Sequence, residues 1–477
     1  MRQVLGVLGF LVLCVSGTML VPMAVGMAEK EPEGLDFLWS ILVSACLGAI
    51  GSLWGLRGKI ALGRREAFAI VSFGWLVASA CGAAPFVLSG HFSPIDALFE
   101  IVSGFTTTGA SVLPKVEHLP KSILLWRAMT QWLGGLGIIA LGVAILPLLG
   151  VGAVQLFRAE VPGPFLEKLR PKIADTARLL WKTYVVITAT EVLLLCLGGM
   201  GFFDSVCHSF TTMATGGFST KSESIAHFDH FSRVVIIFFM FVAATNFSLH
   251  YSLAKGRIAH YWLDREFRFY VFLLLLSSFV VFAFLIFHQG GNWLHRLEDA
   301  AFQVVSIMTT TGFATADFDK WPPVCKYILL LLMFVGGCAG STGGGIKCVR
   351  FLVLYRYLQG QLKRLLHPQA VVTVKLGKQS VPHSVVQHVL GMTLLYLGVF
   401  VIASGIMAAL GLDLITSISS VAATLGNVGP GLAQVGPTGH YGDIPTLGKA
   451  VLIFCMLAGR LEIYTVFVLL YPEFWKK

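Results

Sequence analysis

Four times in this chain of 477 residues an aspartate is followed, thirteen residues later, by the glycine of a Thr-x-Gly triplet. The pairs are Asp96 with Thr107-Thr108-Gly109, Asp204 with Thr215-Gly216-Gly217, Asp299 with Thr310-Thr311-Gly312, and Asp413 with Thr424-Leu425-Gly426. A cation stripped of water inside a membrane needs replacement oxygens. Loops of this composition supply them as backbone carbonyls, with a threonine hydroxyl at the inner end. Glycine permits the unusual φ/ψ values that turn successive carbonyls to one axis. Thr-x-Gly alone is cheap, because further triplets start at Thr342 and Thr446 without an aspartate at that distance. Four in matching register are a repeat, and they predict a pore. The residues after the glycines are Ala110, Phe218, Phe313 and Asn427, so the expected filter is not fourfold identical.

The elements that must hold these loops follow from the spacing. Eleven residues from Asp to Thr make roughly 16 Å of helix, about half the hydrocarbon thickness of a bilayer. The segments 94–108, 204–215, 297–310 and 413–424 are therefore half-membrane helices, each ending in a filter loop. Asp96, Asp204, Asp299 and Asp413 are expected to cap their N-termini, with Ser93 and Pro94 adding an N-cap and N1 proline in the first. Four helix C-termini would then point partial negative charge at the bilayer centre.

Composition agrees: 56% of residues are hydrophobic and 13% charged, the profile of a polytopic membrane protein. Ten spans are expected at about 4–27, 36–56, 66–90, 122–150, 179–202, 231–255, 268–288, 324–354, 385–410 and 446–471. The first is too long for a signal peptide, although Gly26-Met27-Ala28 imitates a cleavage site. The net charge of +10 gathers in alternate loops: Arg57 to Arg65, Arg158 to Lys182, Lys255 to Arg268, Lys347 to Lys378, and Lys476-Lys477. This positive-inside bias puts both termini in the cytoplasm and brings all four half-helices in from outside. It argues for topology, not for nucleic acid. Nine dispersed cysteines without a C-x-x-C pair read as small buried residues. No transition-metal site, cofactor or catalytic constellation is expected, so the chain is read as a non-enzyme. A lipid-linked transferase would need clustered acidic or histidine residues at one membrane face, and the sequence has none.

The expected fold is thus all-α and polytopic: two N-terminal spans (1–60), then four pseudo-repeats around one pore (61–155, 156–260, 261–365 and 366–477). Each repeat is span, pore half-helix, filter loop, span. Gly135-x-Gly137-x-x-Ala140 lies in an apolar span without a preceding strand, which rejects a dinucleotide fingerprint. The run from Gly336 to Lys347 departs from a phosphate loop, because Lys347 follows Ile346 and precedes Cys348. Its glycines suggest an unwound segment inside the membrane rather than a simple helix-packing seam.

Segment Ser93–Glu100, running into Ser103–Ser111, resembles the first pore loop of the Trk/Ktr/HKT superfamily, as does Gln131-Trp132-Leu133-Gly134-Gly135-Leu136-Gly137 in the next span. The Gly336–Lys347 run resembles the broken helix in the third repeat of these potassium transporters. Similarity covers essentially the whole chain, and the two extra N-terminal spans resemble the TrkH branch more than the shorter KtrB branch. The resemblance implies potassium uptake across a bacterial inner membrane through a homodimer, each subunit holding its own pore in lipid. Passage would be channel-like or loosely coupled symport. The resemblance also implies a cytosolic nucleotide-binding regulatory subunit of the TrkA type. In the family, serine at the first filter glycine accompanies sodium permeability. Gly109, Gly217, Gly312 and Gly426 match the potassium pattern, with a sodium or mixed-cation transporter as the alternative.

A gate is expected where Gly336, Gly337, Gly340, Gly343, Gly344, Gly345 and Lys347 meet Arg460, which falls near the middle of the last span. Glu462, two residues on, points to another helix face. Arg127 and Glu191 lie nearer span ends, where snorkelling to the interface is expected.

Overall fold

The structure, a computed structural model, describes residues 2–55, 63–144, 173–369, 373–376 and 379–476. The basic residues Arg57, Lys59, Arg158, Lys168, Arg170, Lys172, Lys378 and Lys477, and the expected span's end at 145–150, lie outside the described residues.

Among the described residues, six helices are long and apolar enough to cross a membrane: Arg2–Ala28, Glu33–Gly55, Arg65–Leu88, Arg178–Leu197, Arg265–Gln289 and His383–Ala409. A further helix, Lys121–Ala144, stands between the third and fourth of these. Three expected spans are not straight helices. His230–Ala243 and Phe247–Ala254 meet at 103°, and Thr446–Arg460 and Tyr464–Leu470 at 119°. The third, 324–354, is helix Pro323–Leu332, a non-helical stretch, then helix Cys348–Leu366. All three breaks face the same place, described below. Non-helical backbone at membrane depth persists where protein buries it. Among the described residues the strand structure is a short ladder of Lys375–Leu376 against Gln379–Ser380.

Four short helices stand between the spans: Pro94–Phe105, Phe202–Met213, Trp293–Met308 and Leu414–Leu425. At 1.5 Å per residue the twelve-residue helices measure about 18 Å, too short to cross. Their C-terminal halves are buried almost throughout, with Phe210 and Ala301 half-buried. The N-terminal helices Arg2–Thr18 and Glu33–Gly55 pack through glycines, because a Cβ on Gly55 would strike the Gly6 backbone. Such small residues let membrane helices approach closely.

Only one of the four expected aspartate caps is a cap. Asp413 accepts from the Thr416 amide at 3.0 Å. The Thr416 hydroxyl and amide hold its carboxyl below the usual carboxylate range. In the first helix the cap is Ser93; Asp96, at the third helical position, accepts from the Ser93 hydroxyl and pairs with Lys449 Nζ at 2.5 Å. Asp204 accepts from the Thr220 hydroxyl at 2.6 Å. Asp299 is seven residues into its helix, beyond the reach of the orphan amides, and lies 3.2 Å from His295.

Candidate functional site

Each of the four short helices ends in the same turn. The residue after the cap takes a left-handed φ: Thr107 (+53°), Thr215 (+53°), Thr310 (+60°) and Asn427 (+54°). Its amide bonds back to the carbonyl of Gly104, Thr212, Ile307 or Thr424, and the next amide to that of Ser103, Thr211, Ser306 or Ala423. These are paired Schellman bonds, a motif that usually places glycine where these loops place threonine. A β-branched residue in this region costs about 1–2 kcal/mol, and such strain concentrates at functional sites.

Two residues further on, the backbone is left-handed again at Gly109 (+81°), Gly217 (+76°), Gly312 (+83°) and Gly429 (+101°). A Cβ on Gly109 would collide with the Gly216 carbonyl, on Gly217 with that of Thr311, on Gly312 with that of Val428, and on Gly429 with that of Thr108. The contacts run from loop one to two, three, four and back to one. Four loops therefore close a ring around one axis, and each glycine exists because the neighbouring loop's carbonyl occupies its side-chain space.

This geometry corrects the fourth triplet. Asn427-Val428-Gly429 stands in the ring, whereas Thr424 and Leu425 end the helix and Gly426 caps it at φ −76°. The sequence spacing misleads because Asp413 stands twelve residues before its helix's last residue, while the other three stand nine before theirs. Asparagine tolerates left-handed φ, and Asn-Val-Gly-Pro carries that signal without a threonine. Ala110, Phe218 and Phe313 follow their ring glycines, and Pro430 takes that place in the fourth loop.

The hydroxyls and amides of the ring differ. Thr107 Oγ1 is buried with no hydrogen bond among the described residues. Thr310 Oγ1 accepts from the Gly344 amide at 2.6 Å. Asn427 Nδ2 donates to Thr108 Oγ1 of the adjacent first loop at 2.9 Å and to the Met456 carbonyl at 3.0 Å.

The Gly344 contact brings the glycine-rich segment directly beneath the ring. Phe334, Gly336 and Ile346 pair through backbone bonds (Gly336 N to Ile346 O, 2.9 Å; Ile346 N to Phe334 O, 3.1 Å), closing the chain between them into a loop. A Cβ on Gly344 would meet the Gly426 carbonyl and Asn427, and one on Gly343 the Thr309 carbonyl. The bend after Ala243 receives the loop: Cys338 N donates to Ala244 O at 2.9 Å, and Phe247 N to Gly340 O at 3.1 Å. Thr342 Oγ1 lies 3.0 Å from the carbonyls of both Met213 and Ala243. Lys347 Nζ donates to the Gly343 carbonyl. Arg460, 4% exposed at the second bend, donates from Nη1 to Thr342 O at 2.7 Å, while its Nε and Nη2 have no partner among the described residues. Glu462 turns away from Arg460 and pairs with Arg350, which begins the helix after the loop, at 2.8 Å.

A family model described as TrkH, a cation transport protein, matches residues 37–477. The chain belongs to the TrkH family. It is 42% identical to the Trk system potassium uptake protein TrkH of Vibrio parahaemolyticus, covering 100% of this chain and 99% of that one. Identity to TrkH of Escherichia coli K12 is 41% with the same coverage, and to TrkG of that strain 37%. The crystal structure of the potassium transporter TrkH from V. parahaemolyticus superposes with TM-score 0.91 at 40% identity, covering 100% of this chain and 99% of that one. TrkH relatives are transporters, not enzymes, and this chain is a multi-pass membrane transporter.

Two charged residues of this TrkH-family chain lie deeper than snorkelling allows. Arg127 is 2% exposed and holds Glu100, itself fully buried, at 2.7 Å. Glu191 is fully buried beside Thr212, and neither of its oxygens meets a donor in good hydrogen-bond geometry among the described residues. Gln131, legible in the sequence only as part of the family resemblance and without a role, donates to the Gly216 carbonyl at 2.7 Å and accepts from the Phe218 amide at 3.1 Å. Arg127 and Gln131 are one helical turn apart, the spacing that could have drawn attention to both.

Proposed function

We propose that this chain takes up potassium across the bacterial cytoplasmic membrane, the dehydrated ion crossing the ring Thr107–Gly109, Thr215–Gly217, Thr310–Gly312 and Asn427–Gly429. The closed sequence of glycine-to-carbonyl contacts carries this reading, because it brings four strands of carbonyls to one axis. The unpartnered Thr107 hydroxyl fits an inner ion ligand, and the four helix C-termini add favourable dipoles. The names of the relatives, Trk system potassium uptake proteins, agree.

Below the ring, segment 336–345 with Lys347 serves as the gate, and Arg460 holds it shut. A fixed positive charge beside a low-dielectric path also raises the barrier to a cation. The working unit is a homodimer with a pore in each subunit and both termini in the cytoplasm. A cytosolic nucleotide-binding protein of the TrkA type would act on the gate from that side. The asymmetry of the fourth loop, where Asn-Val-Gly replaces Thr-x-Gly, favours a second reading: a sodium or mixed-cation transporter.

Growth rescue of a potassium-uptake-deficient bacterium on limiting potassium, with rubidium flux into liposomes, tests the function. Rescue with rubidium flux exceeding sodium flux supports potassium uptake. Equal fluxes would favour the second reading, and no flux of either ion would defeat both.

A further inference from the structure

Behind every filter loop a polar side chain of the pore helix ties down the chain that leaves the ring. Glu100 accepts from the Val112 amide and the Ser111 hydroxyl, each at 2.9 Å. His208 meets the Ser219 hydroxyl at 2.9 Å, and Gln303 donates to the Thr315 hydroxyl at 3.3 Å. Ser419 accepts from the Leu432 amide at 3.0 Å. The first three stand six residues before the helix cap, and Ser419 seven. The four braces are chemically unlike, and among them Glu100 is held by a buried arginine.

That arginine reaches beyond its own repeat. Arg127 Nε and Nη2 meet Glu100 Oε1 at 2.9 and 2.7 Å, and Nη1 donates to the Ser219 carbonyl of the second loop at 3.3 Å. Its guanidinium lies 4.2 Å over the Phe218 ring. One turn along, Gln131 holds both the Gly216 carbonyl and the Phe218 amide. The second loop is the one most in need of support, because Gly216-Gly217 gives it two adjacent residues without side chains to pack. Its carbonyl at Gly216 faces Gly109 of the first loop. The distance between those loops is therefore governed by side chains of the span Lys121–Ala144.

We propose that Arg127, oriented by Glu100, is a specificity-determining positioning residue that fixes the spacing between the first and second filter loops and so sets the ion preference of the ring. Arg127 touches no ion; it acts through Phe218 and Ser219. The charge matters because a planar guanidinium can serve a carboxylate, a carbonyl and an aromatic face together, and an ammonium cannot. The inference rests on the carbonyl-ring reading above.

Competitive rubidium and sodium flux into liposomes tests it, with Gly217→Ser as the ring control. Arg127→Lys and Glu100→Gln should each lower the rubidium-to-sodium ratio by roughly tenfold, the order expected when a charge-assisted contact is lost. The double variant Glu100→Gln/Arg127→Gln should recover thermal stability through a neutral pair without recovering the ratio; recovery of both would mark the pair as merely structural and overturn the proposal. If Gly217→Ser shifts the ratio while both single variants leave it unchanged, the proposal falls and the ring stands. If Gly217→Ser also leaves it unchanged, the ring reading falls and the proposal with it. Should the single variants fail to fold, Phe218→Leu, which removes only the aromatic contact, decides by the same ratio.

Discussion

Arg460 Nη1 and the carbonyl of Thr342 meet at 2.7 Å, joining the bend of the last span to the glycine-rich loop beneath the ring. The other two nitrogens of that guanidinium have no partner among the described residues, so one hydrogen bond carries the connection. A bond to a charged group contributes about 1.5–3 kcal/mol. Replacing Arg460 by Ala should therefore raise unregulated rubidium flux about tenfold or more without changing ion preference. Flux into liposomes lacking any cytosolic partner checks this, and a lower or equal rate would remove Arg460 from the gate.

The corrected fourth loop makes a sharper test of the filter. Gly429→Ser adds a side chain where Thr108's carbonyl stands and should weaken rubidium-over-sodium discrimination about tenfold. Gly426→Ser faces the Met333 carbonyl outside the ring and should mainly lower thermal stability, by about 1–3 kcal/mol. Paired flux and melting measurements separate the two; the reverse pattern would restore Gly426 to the filter.

Asp96 and Asp413 should respond differently to the same change. Asp413→Asn keeps a good cap and should be nearly neutral. Asp96→Asn removes the negative partner of Lys449, whose side chain is 7% exposed, and should cost about 3 kcal/mol in a melting experiment. Equal effects would mean that the ion pair contributes nothing beyond a cap.

Beyond the membrane-spanning helices, Glu117 ties the segment after the first ring loop to the segment after the second by accepting from both the hydroxyl and the amide of Ser222. Burial raises its carboxyl, but the Ser222 bonds outweigh that and hold it down to about 2. A depressed carboxylate contributes stability above its unfolded value, and loses it as pH falls toward the folded one. Hydrogen-exchange protection at Ser222 should thus persist from pH 7 to about 4 and fade below about 3. Glu117→Ala should abolish the protection at every pH; protection already lost at pH 4 would contradict the assignment.

The half-helices and the broken third-repeat span were legible because membrane thickness and glycine density leave few alternatives. The ring's fourth member was not. Three aspartates nine residues before their helix ends established a period that Asp413 imitated from the cap position. The bends at Ala243 and Arg460 were also hidden, because neither carries a proline and apolar residues resume after each. The arriving loop explains them: it pairs with the Ala243 and Ala244 carbonyls and the Phe247 amide at the first bend and meets the Arg460 side chain at the second. Arg127 looked like a residue near water, since linear position says nothing of a carboxylate on another helix.

Because all four quarters of the ring belong to one polypeptide, a substitution at Gly217 or Asn427 alters one side of the path once. In a channel assembled from four identical subunits the same change would strike four times, and a tolerable cost would be multiplied beyond recovery. A single chain can accept asparagine for threonine at Asn427, and then use its amide to reach both Thr108 and the Met456 carbonyl of the last span. Freedom from symmetry thus lets one quarter specialise in linking the ring to the last span while the others keep their threonines.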